Sequence, residues 1–191
     1  MILNVVKFGH PTLRAKGARV ATITPAIKEL IANMFETMYD TRGIGLAAQQ
    51  VGEALQVTVI DVREASAERP STLELDGKPA DVHAFMPLVL INPEITPVGK
   101  PVSGPEGCLS FPEIFAEISR PESIDVVALN EKGKKISFRC GGLLARAVQH
   151  EADHLNGILF IDRMDTETKH DLKPELDDLQ AATKAALKKK K

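Results

Sequence analysis

Hydrophobic periodicity first becomes regular at Thr24-Pro25, where a side-chain oxygen suited to an N-cap precedes a proline suited to the first helical turn. Ile27, Leu30, Ile31, Met34, Phe35 and Met38 then recur at three- and four-residue intervals. That spacing predicts an amphipathic helix with one face on the core. The period runs out between Asp40 and Gly43, where Gly43 and Gly45 suit a change of backbone direction. Gln56 to Val62 and Ser123 to Leu129 are rich in β-branched residues and partly alternate, so both read as strands. Glu131 to Lys135 separates the second of these from Ile136 to Cys140, which predicts a hairpin. Leu88 to Ile91 and Phe115 to Ser119 are shorter strand candidates.

Arg63 to Met86 carries Pro70, Gly77, Pro79 and scattered charges with no sustained apolar period, and reads as a surface insertion. After Gly141-Gly142, the segment Leu143 to Asn156 contains neither proline nor glycine, and Gly157 follows as a C-cap. Beyond Pro174, the positions Leu176, Leu179, Ala182, Ala186 and Leu187 predict a C-terminal helix over 175–191. Strands grouped ahead of helices, with short antiparallel connections, predict an α+β fold.

A length of 191 residues suits one hydrophobic core, so residues 1–191 read as a single domain. With 43% hydrophobic and 26% charged residues, the chain has the composition of an ordinary globular protein. A net charge of -2 supplies no general field for a polyanion, so specific nucleic-acid recognition is not expected. Lys188 to Lys191 is the one basic run, and at a helix end it complements the dipole. The N-terminus has no basic segment followed by a long apolar run, so neither a secretory signal nor a membrane span is expected. The expectation is a cytoplasmic protein whose two cysteines, Cys108 and Cys140, stay unpaired.

Candidate chemistry concentrates in the predicted Leu143 to Asn156 helix. His150-Glu151-Ala152-Asp153-His154 is H-E-x-x-H, and on a helix its two imidazoles share a face and reach one ion. A match by chance in a chain of this size is about one in a hundred. A hydrolytic ion uses about three protein ligands and one open position, so a third donor is required. Phe160 stands where the longer H-E-x-x-H-x-x-G-x-x-H pattern needs a histidine, which excludes that subclass. Glu167 and Glu175 are downstream carboxylate candidates. Cys108, in the glycine-flanked Glu106-Gly107-Cys108-Leu109-Ser110, is the upstream alternative, and a cysteine nucleophile with a histidine base is a third reading. Cys140, at a strand end, reads as core. His10, His83 and His170 have no ligand-like spacing.

Three segments together resemble the signature of peptide deformylases: Gly43-Ile44-Gly45-Leu46-Ala47-Ala48-Gln49-Gln50, Glu106-Gly107-Cys108-Leu109-Ser110, and Gln149-His150-Glu151-Ala152-Asp153-His154-Leu155-Asn156-Gly157. All three occur complete and in family order. The likeness extends to Phe8-Gly9-His10-Pro11-Thr12-Leu13-Arg14 near the N-terminus.

The resemblance implies antiparallel β-sheets packed around a central helix that carries H-E-x-x-H. It implies an enzyme that removes formate from N-formylmethionyl peptides with one divalent ion, Fe(II) natively and Zn, Ni or Co in substitution. Cys108, His150 and His154 would be the ligands, and Glu151 the base and acid acting on metal-bound water. The Gln50 amide and the Leu109 backbone N–H would stabilise the charge that develops on the formyl oxygen. Gly43 and Gly45 would let a peptide approach closely, while Ile44, Leu143 and Ala147 would line the methionine pocket. Arg146 departs from the apolar residue that relatives often carry, and would border that pocket. The C-terminal helix resembles one that docks on the ribosome in enterobacterial members. The setting implied is the bacterial cytoplasm, with an organelle as the alternative.

Overall fold

The computed structural model describes residues 1–65 and 67–189. Helix α1 spans Pro25–Asp40, with the Thr24 side chain accepting from the Ile27 N–H as its N-cap. Strand β1 (Gly45–Ala47) leads through a single 3-10 turn, Ala48–Val51, to β2 (Val57–Ile60). Then come β3 (Ser71–Leu75), β4 (Lys78–Pro79) and α2 (Val82–Phe85). Two long strands follow, β5 (Leu88–Cys108) and β6 (Phe111–Leu129), and β7 (Lys135–Gly141) runs straight into α3 (Gly142–Leu155). The chain closes with α4 (Thr166–Asp171) and α5 (Lys173–Lys188).

The strands form one antiparallel ladder in the order β1-β2-β5-β6-β7-β3-β4, so the α+β expectation holds, with one bent sheet in place of separate ones. Register shifts mark the bends. Pro93, Pro97, Pro101 and Pro105 lack the N–H that a ladder uses, and the pairing of β5 with β6 shifts register at Ile91/Glu94, Val98/Pro101 and Gly107/Cys108, the first two beside Pro93 and at Pro101. The short candidates Leu88 to Ile91 and Phe115 to Ser119 are therefore parts of much longer strands.

Helix α3 packs against β1, β2, β3, β6 and β7. Eleven of its fourteen residues are buried, so its polar side chains must find partners inside the protein. Ile60, Leu90, Val126, Leu144 and Val148 form the cluster on one side of it. Leu13, Phe111, Ile118, Phe160 and Leu176 form a second cluster, which ties α5 to the sheet. Met34, Met38, Leu46 and Val57 form a third beneath α1. Burying each such side chain stabilises by about 1.5–3 kcal/mol.

The segment 63–86 is mostly exposed or half-buried, and it also adds a strand and three buried residues to the core. Strand β3 joins the sheet through Thr72↔Gly141, Leu73↔Cys140 and Glu74↔Arg139, and Leu73, Val82 and Met86 are buried in the α3 cluster. Its buried positions are short and widely spaced, which is why no period showed. The C-terminal helix begins at Lys173, two residues earlier than expected. Of the basic run, Lys190 and Lys191 lie outside the described residues. Among the described residues no helix is long and apolar enough to cross a membrane.

Candidate active site

Gly141-Gly142 turns β7 into α3 without a loop. Gly142 has φ +64, and a Cβ there would come within 2.2 Å of the Pro70 carbonyl oxygen, so this switch needs glycine. The turn fixes the start of α3 and therefore the height at which His150 and His154 emerge. The two rings lie one helical turn apart, with centroids 5.0 Å apart. Cys108 arrives from the other direction, at the end of β5, where the register shift after Gly107 re-aims its side chain.

The cluster that results contains Cys108, His150 and His154, with one ligand atom from each lying within 4.8 Å of the others. Cys108 Sγ is 3.3 Å from His154 Nε2. Tetrahedral bonds of about 2.0–2.3 Å place neighbouring ligand atoms roughly 3.3–3.7 Å apart, a separation that the Cys108–His154 pair meets, and a thiolate with two imidazoles is a donor set for a first-row divalent ion. His150 Nδ1 lies 3.0 Å from Glu106 Oε2, which leaves Nε2 for ligation, and carboxylate support of a ligating histidine is a recurrent arrangement. His154 Nδ1 has no such partner among the described residues.

Burial works to raise the Glu106 carboxyl, but hydrogen bonds from His150 and Arg120 outweigh it and hold the group at about 2. Glu106 is thus a fixed anion. For His150, burial pushes the imidazole down, yet Cys108 and Glu106 outweigh it and raise the ring well above its usual value. His154 is pushed well below by burial and by the charge on His150. The neutral form of His154 is the form in which an imidazole ligates a metal.

Glu151 shares the helix and points toward β1. Gly45 makes room for it: a Cβ at Gly45 would stand 2.4 Å from Glu151 Oε1 and 2.9 Å from its Cγ. Burial raises this carboxyl to about 7, with Glu106 and Asp153 adding like charge against the opposing His150 and Arg120. Its Oε2 is buried without a hydrogen-bond partner among the described residues.

Gln50 is oriented by its neighbours. Its Oε1 accepts from the Ala47 N–H at 2.9 Å, which turns Nε2 toward Ser110 Oγ at 3.4 Å and Cys108 Sγ at 3.5 Å. The Leu109 carbonyl accepts from Lys7 Nζ at 2.7 Å, which pins the turn after Cys108. Burial lowers the Lys7 ammonium pKa, an effect that Cys108 partly offsets.

These groups border a cleft of about 450 Å³. Gly43, Ile44, Gly45, Gln50, Cys108, Leu109, Leu143, Arg146, Ala147, His150 and Glu151 all line it, and His154 lies behind, 1% exposed. The alternative carboxylates Glu167 and Glu175 lie on α4 and α5, outside the cluster. Cys140 is buried, and burial pushes its thiol up to about 12, the state of an inert core residue. His10 serves locally, accepting from the Thr12 N–H.

The carboxylate network behind the Cys108-His150-His154 cluster is not visible in the sequence. Glu106 lies inside a quoted motif, but its partner Arg120 carries no local signal. Arg120 is 2% exposed and bridges Glu106 to Asp153, and Arg163 holds Asp153 from the far side. Phe115, 69% exposed at the mouth of the cleft, was read only as part of a strand.

The polypeptide deformylase family model matches residues 2–170 of this chain. A peptide deformylase of Opitutus terrae is 42% identical over 190 residues, covering 98% of each chain. A crystal structure of a Legionella pneumophila peptide deformylase superimposes with a TM-score of 0.78 at 32% identity, covering 95% of this chain and 97% of that one. Peptide deformylase 1B of Arabidopsis thaliana, crystallised with an inhibitor, gives a TM-score of 0.79 at 38% identity, covering 93% and 90%. Agreement over nearly the whole length, in sequence and in fold together, leaves one conclusion: this chain belongs to the peptide deformylase family of enzymes.

Proposed function

We propose that this enzyme hydrolyses the formyl group from the N-terminal formylmethionine of newly made polypeptides, releasing formate and a free amine. The observation that carries this reading is the Glu151 carboxylate, buried against Gly45 beside the Cys108-His150-His154 cluster. When a divalent ion is held by those three residues, it supplies Lewis acidity, which brings the ionisation of water near neutral pH. A thiolate with two imidazoles suits Fe(II), which the resemblance favours, and also Zn, Ni or Co.

The chain's own residues supply the rest. Strand β1 pairs with β2 along one edge and ends the sheet, so an extended peptide can add along Gly43 to Gly45. Ile44, Leu143 and Ala147 present an apolar wall for the methionine side chain. As water oxygen bonds to the formyl carbon, Glu151 takes its proton, and a base near pKa 7 is well matched to that task. The Gln50 amide and Leu109 N–H donate to the formyl oxygen as charge gathers there, each worth roughly 3 kcal/mol. The carbon–nitrogen bond then breaks, and Glu151 returns the proton to the departing amine.

The test is formate release from a formyl-Met peptide by the Fe(II)- or Ni(II)-loaded enzyme. Glu151→Ala is expected to abolish release while metal content stays at one ion per chain. Cleavage of internal peptide bonds, or full activity in Glu151→Ala, would overturn the reading. The same proposal places the enzyme in the cytoplasm, with the ribosome as the partner of α5, whose Lys184, Lys188 and Lys189 are exposed.

A further inference from the structure

Arg146 stands one turn before His150 on α3 and borders the cleft, yet its guanidinium is committed inside the protein. Nη1 donates to Glu106 Oε1 at 2.9 Å and to the Ile118 carbonyl at 2.7 Å, and Nη2 donates to the Val102 carbonyl at 2.8 Å. The side chain is only 12% exposed. Gly104 makes space for it, since a Cβ there would come 3.0 Å from Nη2. Val102, Gly104 and Glu106 alternate along β5, and Ile118 faces Gly104 across β6. Arg146 therefore ties both strands of the bent hairpin to the helix that carries the histidines.

The carboxylate it touches has no freedom left. A carboxylate offers about four lone-pair positions. Oε1 of Glu106 accepts from Arg120 Nε at 2.6 Å and from Arg146 at 2.9 Å. Oε2 accepts from Arg120 Nη2 at 2.9 Å and faces His150 Nδ1 at 3.0 Å. Arg120 holds Glu106 from β6, and Arg146 holds it from α3. Arg120 alone grips both oxygens as a fork, which can still tilt as a unit, and Arg146 adds a third donor from α3 that fixes this tilt and the His150 ring with it.

We infer that Arg146 is a positioning residue that acts through Glu106. It sets the plane of the His150 ring, and with it the direction of Nε2 toward Cys108 and His154, and does not read the substrate. The inference rests on the metal-dependent reading of the site. It also gives a reason for a cation where an apolar pocket residue was expected.

The test compares the intact enzyme with Arg146→Met, which keeps the stem and removes the charge. Co(II)-loaded protein is mixed with EDTA, and metal release is followed together with the visible thiolate-to-Co(II) band. Release is expected to be about tenfold faster, in the range that loss of supporting hydrogen bonds causes. The band is expected to shift, and kcat to fall while KM for a formyl-Met peptide changes by less than about twofold. In a Glu106→Gln background, Arg146→Met is expected to add nothing, because residues acting through one group are not additive. Should Arg146→Met fail to fold, Gly104→Ala, which presses on the guanidinium from below, is expected to change release in the same direction.

Three results would overturn the inference. The first is release at the unmutated rate with only a lower unfolding temperature, which would leave a structural staple. The second is a raised KM at unchanged kcat, which would make Arg146 a substrate contact. The third is a full, additive effect in the Glu106→Gln background. Metal release is read without substrate, so an enzyme that binds Co(II) but forms no formate would sink the deformylase reading and still decide the role of Arg146.

Discussion

Replacing Gly45 by alanine tests the role proposed for the Glu151 carboxylate. The added Cβ would stand 2.4 Å from Glu151 Oε1, about 0.6 Å inside the 3.0 Å limit that real Cβ atoms respect. Glu151 Cδ and Cγ both lie at 2.9 Å, so the whole side chain must retreat, not only its tip. Gly45 does not occupy the left-handed region, and alanine fits its backbone without strain. The added atom lies against Glu151 and not against Cys108, His150 or His154. A displacement approaching 1 Å costs a catalytic group about 100-fold, so kcat is expected to fall about 10- to 100-fold, or roughly 1.4–2.7 kcal/mol of barrier. Formate release, coupled to formate dehydrogenase, measures the rate, elemental analysis the metal, and calorimetry the unfolding temperature. The expected pattern is a large loss of kcat with one metal ion retained and a small change in unfolding temperature. An alanine variant with unmutated kcat and KM would refute the reasoning, because it would mean that Glu151 does not work from its place against β1.

The remaining predictions concern parts of the chain away from the reaction. Leu73→Ala removes a side chain that is 3% exposed in the α3 cluster, and is expected to destabilise by about 2–5 kcal/mol, read in urea as a lower midpoint at unchanged slope. A loss below about 0.5 kcal/mol would show that the 63–86 segment does not belong to the core. For α5, truncation after Thr183 removes Lys184, Lys188 and Lys189 while leaving Leu176 and Leu179 in their cluster. Ribosome binding by the truncated chain is expected to weaken, and its dependence on salt to flatten. Equal binding at every salt concentration would remove the ribosome as the partner of this helix.

Local chemistry was readable wherever the relevant atoms lie within a few residues of one another. Thr24-Pro25 and the apolar spacing after it led to the observed α1, because capping and helical period are short-range effects. His150, Glu151 and His154 fell on one buried helix for the same reason. The proline-rich length of β5 was not readable, since prolines oppose strand pairing locally, and Pro97 and Pro105 are nonetheless paired in register with Ile124 and Glu117 of β6. Nor was β3, whose few buried residues gain their meaning from β7 and α3.

The sequence by itself therefore determined the family, the helix that bears the histidines, and the residue types of the candidate site. Tertiary structure decided which donor joins them. Cys108 reaches His154 across 46 residues because β5 and β6 bend at fixed register shifts, whereas Glu167 and Glu175 are carried away on α4 and α5. It also decided the ionic support behind the ligands: Glu106 meets Arg120 across 14 residues and Arg146 across 40, and both pairings exist only once strand register and helix height are set. Burial pushes both carboxyls up, and hydrogen-bond partners make the difference: His150 and Arg120 hold Glu106 at about 2, whereas Glu151, which has no hydrogen bond at Oε2 among the described residues, is raised to about 7. Two glutamates of identical chemistry acquire opposite properties from their surroundings, and surroundings are what a linear pattern leaves out.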